Sequence, residues 1–261
     1  MSTINNQQTV KEQYANAGNL NTRISIHQKY STNKMGFGNW IFSNYKITEG
    51  MKVLELGCGT GDMWKGHEDL MNTCSKIILS DFSEGMLENA KVNIGKNKTV
   101  EYRVIDIQDI PFEAESFDVV IANMMLYHVP DMSRGLSEVC RVLKKSGTFY
   151  CATFGEHGIM EFISKALNAY GVEDNMNKNF TLQNGQEILK PFFSDIQKLN
   201  YEDSLAVTEI DDLIDYIYSL SSMSTLSTVP KNEIRDVLIK HAVNGVLTVP
   251  KEYGMFCCRK V

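Results

Sequence analysis

The chain has 261 residues, 43% of them hydrophobic and 22% charged, and 32 acidic against 26 Lys and Arg residues give a net charge of −6. That length suffices for one large core or a domain with a lid, while the acidic balance speaks against the basic face of a nucleic-acid binder. No apolar run reaches membrane-spanning length and residues 1–10 are polar, without a signal-peptide core, so no membrane segment and a cytoplasmic location are expected.

Residues up to about 50 carry Tyr14, Ile24, Ile26, Tyr30, Phe37, Trp40, Ile41 and Phe42 at roughly helical spacing. They read as helices covering the domain that follows. From Met51 strands and helices alternate. The first strand, 52–56, is apolar and ends in Val53-Leu54-Glu55-Leu56-Gly57-Cys58-Gly59-Thr60-Gly61. Glycines at alternate positions bring backbone close to a ligand and tolerate positive φ. A helix is expected over 61–72, and its N-terminus offers unpaired N–H groups. The second strand is 76–80, and Asp81 follows it directly. Ser83 can cap a second helix that ends near Gly95, with Glu84 in the first turn. The third strand is 100–105, ending at Asp106, with Asp109 in the same loop as a competitor.

The fourth strand, 117–123, ends at Asn123 and leads into Met124-Met125-Leu126-Tyr127-His128. Asp131 caps a helix with the stripe Met132, Leu136, Val139, Cys140 and Leu143, and Lys144, Lys145 and Gly147 read as its closing turn. The fifth strand is 148–153. Near-continuous apolar strands alternating with helices argue a parallel sheet covered on both faces. After Gly155 helices are expected over 158–170, 183–192, 209–222 and 231–243, the last opened by Pro230. Strands are expected over 196–207 and 253–259, and the serine-rich stretch 219–227 reads as a loop. The cysteines, Cys58, Cys74, Cys140, Cys151, Cys257 and Cys258, form no C-x-x-C pair. They read as small hydrophobes in a reducing compartment, with no metal bound.

The G-x-G-x-G order, with Glu55 two positions before the first glycine, differs from the G-x-G-x-x-G of dinucleotide enzymes. It resembles the class I S-adenosylmethionine-dependent methyltransferases, of the type 11-like small-molecule kind. Three further matches follow in order: Ser80-Asp81-Phe82-Ser83-Glu84-Gly85-Met86-Leu87, the Asp106 loop, and Phe117-Asp118-Val119-Val120-Ile121-Ala122-Asn123. Cys58 and Thr60 between the glycines lie within the family's variation. The resemblance covers about 50–155. It implies a Rossmann-like α/β fold: a doubly wound, seven-stranded, mostly parallel sheet whose seventh strand is antiparallel. Residues 1–50 would be the N-terminal helical cover and 51–155 the cofactor-binding core. Residues 156–261 would supply helical insertions, acting as a lid near the substrate mouth, plus the last two strands of the same sheet.

The resemblance also implies S-adenosyl-L-methionine as cofactor, with S-adenosyl-L-homocysteine as product. Glu55, Gly57, Cys58 and Gly59 would cradle the methionine moiety. Asp81 would accept from the ribose hydroxyls, unless it is only an acid of the helix N-terminal turn. Phe82 and Met86 would pack on the adenine, Asp106 would accept from its amino group, and the Ile107 N–H would meet the ring. The Asn123 carbonyl would face the cofactor's amino group. His128 is a candidate for substrate deprotonation or cofactor contact; the alternative is a loop histidine bonded to backbone. In the N-terminal segment, Tyr14, with Arg23, His27 and Tyr30, could fold over the cofactor, Arg23 pairing with its carboxylate. Alternatively that segment packs an aromatic stripe and leaves Arg23 in water. Ile159, Met160, Phe162, Ile163, Tyr216, Ile217 and Tyr218 could line an apolar acceptor pocket, with core packing the default.

Methyl transfer is an in-line displacement served mainly by proximity and orientation. A small-molecule acceptor is expected. Nucleic acid is disfavoured: Asn123 is followed by Met124-Met125-Leu126 rather than the Pro-Pro-aromatic run of amine methylation, and the chain has no Pro-Cys pair. An RNA or protein methyltransferase, or a non-catalytic cofactor-binding protein, are the alternatives. Acceptor identity and oligomeric state are not encoded in any motif.

Overall fold

A computed structural model of the chain describes residues 17–220, 226 and 228–260. In chain order the elements are α1 (Ala17–Tyr30), α2 (Phe37–Ser43), β1 (Lys52–Leu56), α3 (Glu68–Thr73), β2 (Lys76–Asp81), α4 (Glu84–Ile94), β3 (Val100–Val104), β4 (Phe117–Ile121) and α5 (Met132–Val142). Then follow β5 (Leu143–Phe154), α6 (Ile159–Ala166), α7 (Gly185–Leu189), β6 (Phe193–Val207), α8 (Ile210–Ser219), α9 (Lys231–Ile239) and β7 (Leu247–Lys260). The seven strands form one sheet in the order β3-β2-β1-β4-β5-β7-β6. The pairs β1–β2, β1–β4, β2–β3 and β4–β5 are parallel. This is the doubly wound, mostly parallel architecture expected from the strand–helix alternation.

The chain divides into two compact units, and their boundaries differ from the expected 1–50, 51–155 and 156–261. The larger holds 37–154, 179–200 and 254–260; the smaller holds the described residues to Gly36 with 155–178 and 201–253. The chain switches between units within β6 and again within β7.

In the larger unit successive strand residues alternate between two cores, as the period of a strand requires. Leu54, Leu56 and Val120 pack with Leu136, Val139 and Val142 of α5 and Leu189 of α7. Val53, Val119 and Ile121 pack with Ile41 of α2, Met71 of α3, and Leu87 and Ala90 of α4. Helices therefore cover both faces, and α2 with the segment to Gly50 belongs to this unit. The smaller unit has its own core, in which α1 supplies Ile26 and Tyr30 and α8 supplies Leu213, Ile214 and Ile217. No helix among the described residues is long and apolar enough to cross a membrane.

Four local expectations are corrected. The helix expected over 61–72 is broken into a single 3-10 turn, Asp62–Trp64, and the short α3. Gly66 between them has φ +77°, which no helix admits. The Lys144, Lys145 and Gly147 segment closes no helix: Leu143 is already extended, and β5 starts there. The extra residues are taken up by a register shift, Phe117 pairing with Leu143 but Val119 with Thr148. Gly147 is required at that shift, because a Cβ would lie 2.9 Å from the Asp118 carbonyl oxygen. The Ser83 side chain makes no capping bond; Asp81 takes over by accepting from the Ser83 N–H at 2.8 Å. The last strand begins six residues earlier than expected. The turn Asn244-Gly245, both at positive φ, reverses the chain just before it, with Val243 and Val246 exchanging backbone bonds.

Candidate functional site

The parallel register puts the carboxyl ends of β3, β2, β1 and β4 on one rim. Glu55 is level with Leu79 on one side and Ile121 on the other, and Asp81 is level with Val104. The glycine turn leaves β1 and is tied to β2 twice. The Cys58 N–H donates to the Ser80 carbonyl at 2.8 Å, and the Gly59 N–H donates to Asp81 Oδ2 at 3.0 Å. Asp81 thus anchors the turn with one oxygen and the start of α4 with the other. A carboxylate has about four acceptor positions, so Asp81 keeps capacity for a ligand.

Gly57, Gly59 and Gly61 have φ of 72°, 56° and 73°. Two of the three also sit in close quarters. A Cβ on Gly57 would lie 2.9 Å from Met125 Cγ, and one on Gly61 would lie 2.7 Å from Ile94 Cδ1. At Gly59 nothing lies within 4 Å of that position, so the middle of the turn faces open space. Cys58 is buried, and burial, then Glu55 and Asp81, push its thiol far above the ordinary value. It is a packing residue.

Phe82, beside Asp81, is 44% exposed, a rarity for a large apolar side chain in this molecule. Met86 is half-buried in the first turn of α4. Asp106, also half-buried, accepts from the Gln108 N–H at 2.8 Å and from its side-chain amide at 3.1 Å, while its competitor Asp109 is exposed. The Ile105 N–H donates to the Asp81 carbonyl at 3.3 Å, so the two acids end neighbouring chains. The Ile107 side chain is turned into the core against α5, which leaves only its backbone for any ligand.

Strand β4 stops at Ile121, two residues short of Asn123. The Asn123 side chain is committed to structure: its amide donates to Tyr45 Oη at 2.5 Å and its oxygen accepts from the Ala152 N–H at 3.2 Å. His128 ends a 3-10 turn, Leu126–His128, with its ring 4.5 Å from that of Tyr127. Its Nδ1 is shielded from water and has no hydrogen-bond partner among the described residues. Burial lowers its pKa, so the ring is neutral at pH 7.

Beneath the turn, Glu55 is 2% exposed and accepts from Trp64 Nε1 at 2.6 Å. Burial raises its pKa to about 7, against the opposing pull of the Trp64 bond and with a further push from Asp81. Such a carboxyl binds a proton on folding between its ordinary value of 4.5 and about 7. Stability therefore falls as pH rises through that window, by about 3 kcal/mol in all. Glu55→Gln should abolish this slope and raise stability at pH 8. Urea unfolding at pH 5 and pH 8 checks it, and an equal slope in both proteins would contradict the assignment.

Trp64, Tyr45 and Gln108 escaped the sequence reading. A buried Trp N–H needs a partner, and Glu55 nine residues earlier was the one signal for it. Tyr45 lies near enough to Glu55 that burial, then that carboxyl, hold its hydroxyl well above the usual range; nothing in its local sequence marks it.

Of the N-terminal candidates, Arg23, His27 and Tyr30 belong to the smaller unit. Tyr14 lies outside the described residues, and Arg23 sits on α1. Tyr30 is buried and its hydroxyl donates to Asp212. His27 meets the Tyr216 ring edge-on at 6.2 Å, and burial, then the Lys251 cation, lowers its pKa to about 4. Ile159, Ile163, Tyr216 and Ile217 are buried in that unit's core, with Met160, Phe162 and Tyr218 packed against it, which is the default reading for them.

The strand order and the helices on both faces match the Rossmann-like methyltransferase fold. Residues 54–151 match the family model described as a methyltransferase domain. The demethylmenaquinone methyltransferase of Lactococcus lactis is 38% identical over 123 residues, 46% of this chain and 48% of that protein. The ubiquinone/menaquinone biosynthesis C-methyltransferase UbiE of Escherichia coli is 33% identical over 127 residues, 48% of this chain and 50% of that protein. The chain spans about half the length of these curated relatives. Among solved structures, the phosphoethanolamine N-methyltransferase 2 of Haemonchus contortus, in complex with S-adenosyl-L-methionine, matches with a TM-score of 0.60 at 19% identity. That match covers 100% of this chain and 60% of the other, and it speaks to the fold.

Proposed function

We propose that the protein is an S-adenosylmethionine-dependent methyltransferase acting on a small-molecule acceptor and releasing S-adenosylhomocysteine. The observation that carries this reading is the convergence at one rim of an open glycine turn, an Asp81 that already holds that turn, and Asp106. The residues present fit the cofactor. Asp81 has acceptor positions left for ribose hydroxyls, Phe82 offers an exposed ring and Met86 a half-buried thioether for adenine. Asp106 and the Ile107 N–H supply an acceptor and a donor for its edge. Gly57, Cys58 and Gly59 let the backbone approach the methionine moiety, with the Asn123 carbonyl nearby and Glu55 supporting the turn from below.

The cofactor supplies an activated methyl group, and the protein's part is orientation. Holding an acceptor in line contributes most of the rate. His128 lies three residues beyond Met125, whose side chain packs at Gly57 of the turn, and its ring could accept a proton or simply pack. The two relatives are named for quinone substrates, and a ring-bearing small molecule is the acceptor class favoured here. A cytoplasmic setting accords with six unpaired cysteines.

The test is incubation with methyl-labelled S-adenosylmethionine and cell extract, followed by separation of small metabolites, RNA and protein. Label is expected in the small-molecule fraction. Label confined to RNA or protein, or none despite tight cofactor binding, would overturn the reading.

A further inference from the structure

Beyond β4 the chain reaches the rim through Asn123, Met124 and Met125. Met124 has φ +52°, a left-handed conformation uncommon for a residue with a side chain. Such a conformation persists only where its surroundings over-determine it. Here the Met124 N–H donates to the Ala152 carbonyl at 2.8 Å, and the Asn123 side-chain oxygen accepts from the Ala152 N–H at 3.2 Å. The Asn123 amide then donates to Tyr45 Oη at 2.5 Å. One residue further on, Met125 lies against the glycine turn, where a Cβ on Gly57 would come within 2.9 Å of its Cγ. Among the described residues nothing donates to the Asn123 main-chain carbonyl. Tyr45 is the fixed end of the side-chain bond. Its N–H donates to the Phe42 carbonyl at 3.1 Å, just after α2. Its ring packs on those of Phe42 and Tyr150, with centres 5.5 and 5.0 Å away. The Tyr150 hydroxyl, on β5, accepts from the Lys46 N–H at 3.0 Å and so pins the residue after Tyr45 to the sheet. None of these contacts passes through Asn123, so the Tyr45 hydroxyl is placed independently, as a post to which the amide is tied.

We propose that Tyr45 is a positioning residue for the cofactor: by holding the Asn123 amide it fixes the main chain at 123 and 124 in the form that offers the Asn123 carbonyl to the cofactor's amino group. The proposal rests on the reading of the rim as a cofactor site. Tyr45 is assigned no contact with the cofactor; it acts through Asn123. Preorganisation is the physical reason. A carbonyl already held in place accepts its ligand without the cost of ordering the segment that carries it. Without the hydroxyl the amide lacks its acceptor, and the left-handed Met124 loses one of the restraints that keep it there.

Tyr45→Phe keeps the ring and its packing and removes only the hydroxyl. Calorimetry on the full chain compares S-adenosylhomocysteine with methylthioadenosine, which carries the same adenosyl group without the amino acid. S-adenosylhomocysteine should bind the variant about tenfold more weakly than the wild type, while the affinity for methylthioadenosine stays within about twofold. A general loosening of the fold would weaken both ligands alike. Asn123→Ala cuts the same bond from its other end and keeps the main-chain carbonyl. It should show the same selective loss, and adding Tyr45→Phe to it should cost nothing more. In nuclear magnetic resonance spectra of the wild type, the Asn123 carbonyl carbon should shift far more with S-adenosylhomocysteine than with methylthioadenosine. Equal losses for the two ligands, or an unchanged affinity for S-adenosylhomocysteine, would overturn the role of Tyr45. An Asn123 carbonyl that stays still in the wild type would overturn it even if both variants failed to fold. A wild type that binds neither ligand would instead contradict the cofactor site itself.

Discussion

Asp81→Ala is expected to weaken S-adenosylmethionine binding at least a hundredfold. Two effects add. The ligand loses a charged acceptor, and hydrogen bonds to charged groups are worth about 1.5–3 kcal/mol each. The protein also loses the clamp that joins Gly59 N–H at 3.0 Å to Ser83 N–H at 2.8 Å. The glycine turn is then less well held before the ligand arrives, and preorganisation is lost with it. Asp81→Asn should fall between, since one oxygen still accepts but the amide cannot take both N–H groups. Calorimetric titration measures both variants. A dissociation constant for Asp81→Ala within threefold of the wild type would remove Asp81 from the site.

The largest expected loss of stability lies far from that rim in sequence. Lys251 on β7 pairs with Asp203 on β6, with side chains only 5% and 0% exposed. Lys251→Ala should cost about 3–5 kcal/mol, the range for breaking a buried ion pair by removing one partner. The Asp203 carboxylate would stay behind, entirely buried, with the Asn33 and Ser204 N–H groups at 2.9 Å and the Ser31 and Thr32 hydroxyls at 2.7 and 3.2 Å donating to it but no counter-charge. The double variant Lys251→Met with Asp203→Asn should recover most of the loss, because it removes both charges together. Urea unfolding of the single and double variants checks this. A single-variant loss under about 1 kcal/mol, or a double variant no better than the single, would show that the pair is solvated in solution.

The centre of the sheet was legible because β1, β2 and β4 are apolar on both faces. Runs such as Ile77-Ile78-Leu79 and Val119-Val120-Ile121 leave no polar side for water. The rim was legible for the same reason, since acids and glycines stand where such runs end. Interruptions were not. Glu68 to Thr73 has helix-forming composition, and only the conformation of Gly66 splits it from the preceding turn. Lys144-Lys145-Ser146-Gly147 has the look of a helix end, yet the partner strand β4 decides that it is a displaced strand segment. Tertiary context overrode local propensity in both.

Long-range polar pairing left even less trace. Lys251 and Asp203 are two charged residues among 58 Lys, Arg, Asp and Glu, and nothing in their neighbours marks them as buried. Trp64 pointed at Glu55 only once both were known to face the same core. The motif residues were therefore readable one by one, while the groups that hold them in place became visible only with the fold.

The central claim is that the open glycine turn and the two acids receive one adenosyl group. Backbone amide shifts followed during titration with S-adenosylhomocysteine address it most directly. The account predicts that Gly59, Ser83 and Ile107 shift together and saturate at one ligand per chain. Shifts clustered elsewhere, with these three amides unmoved, would contradict it.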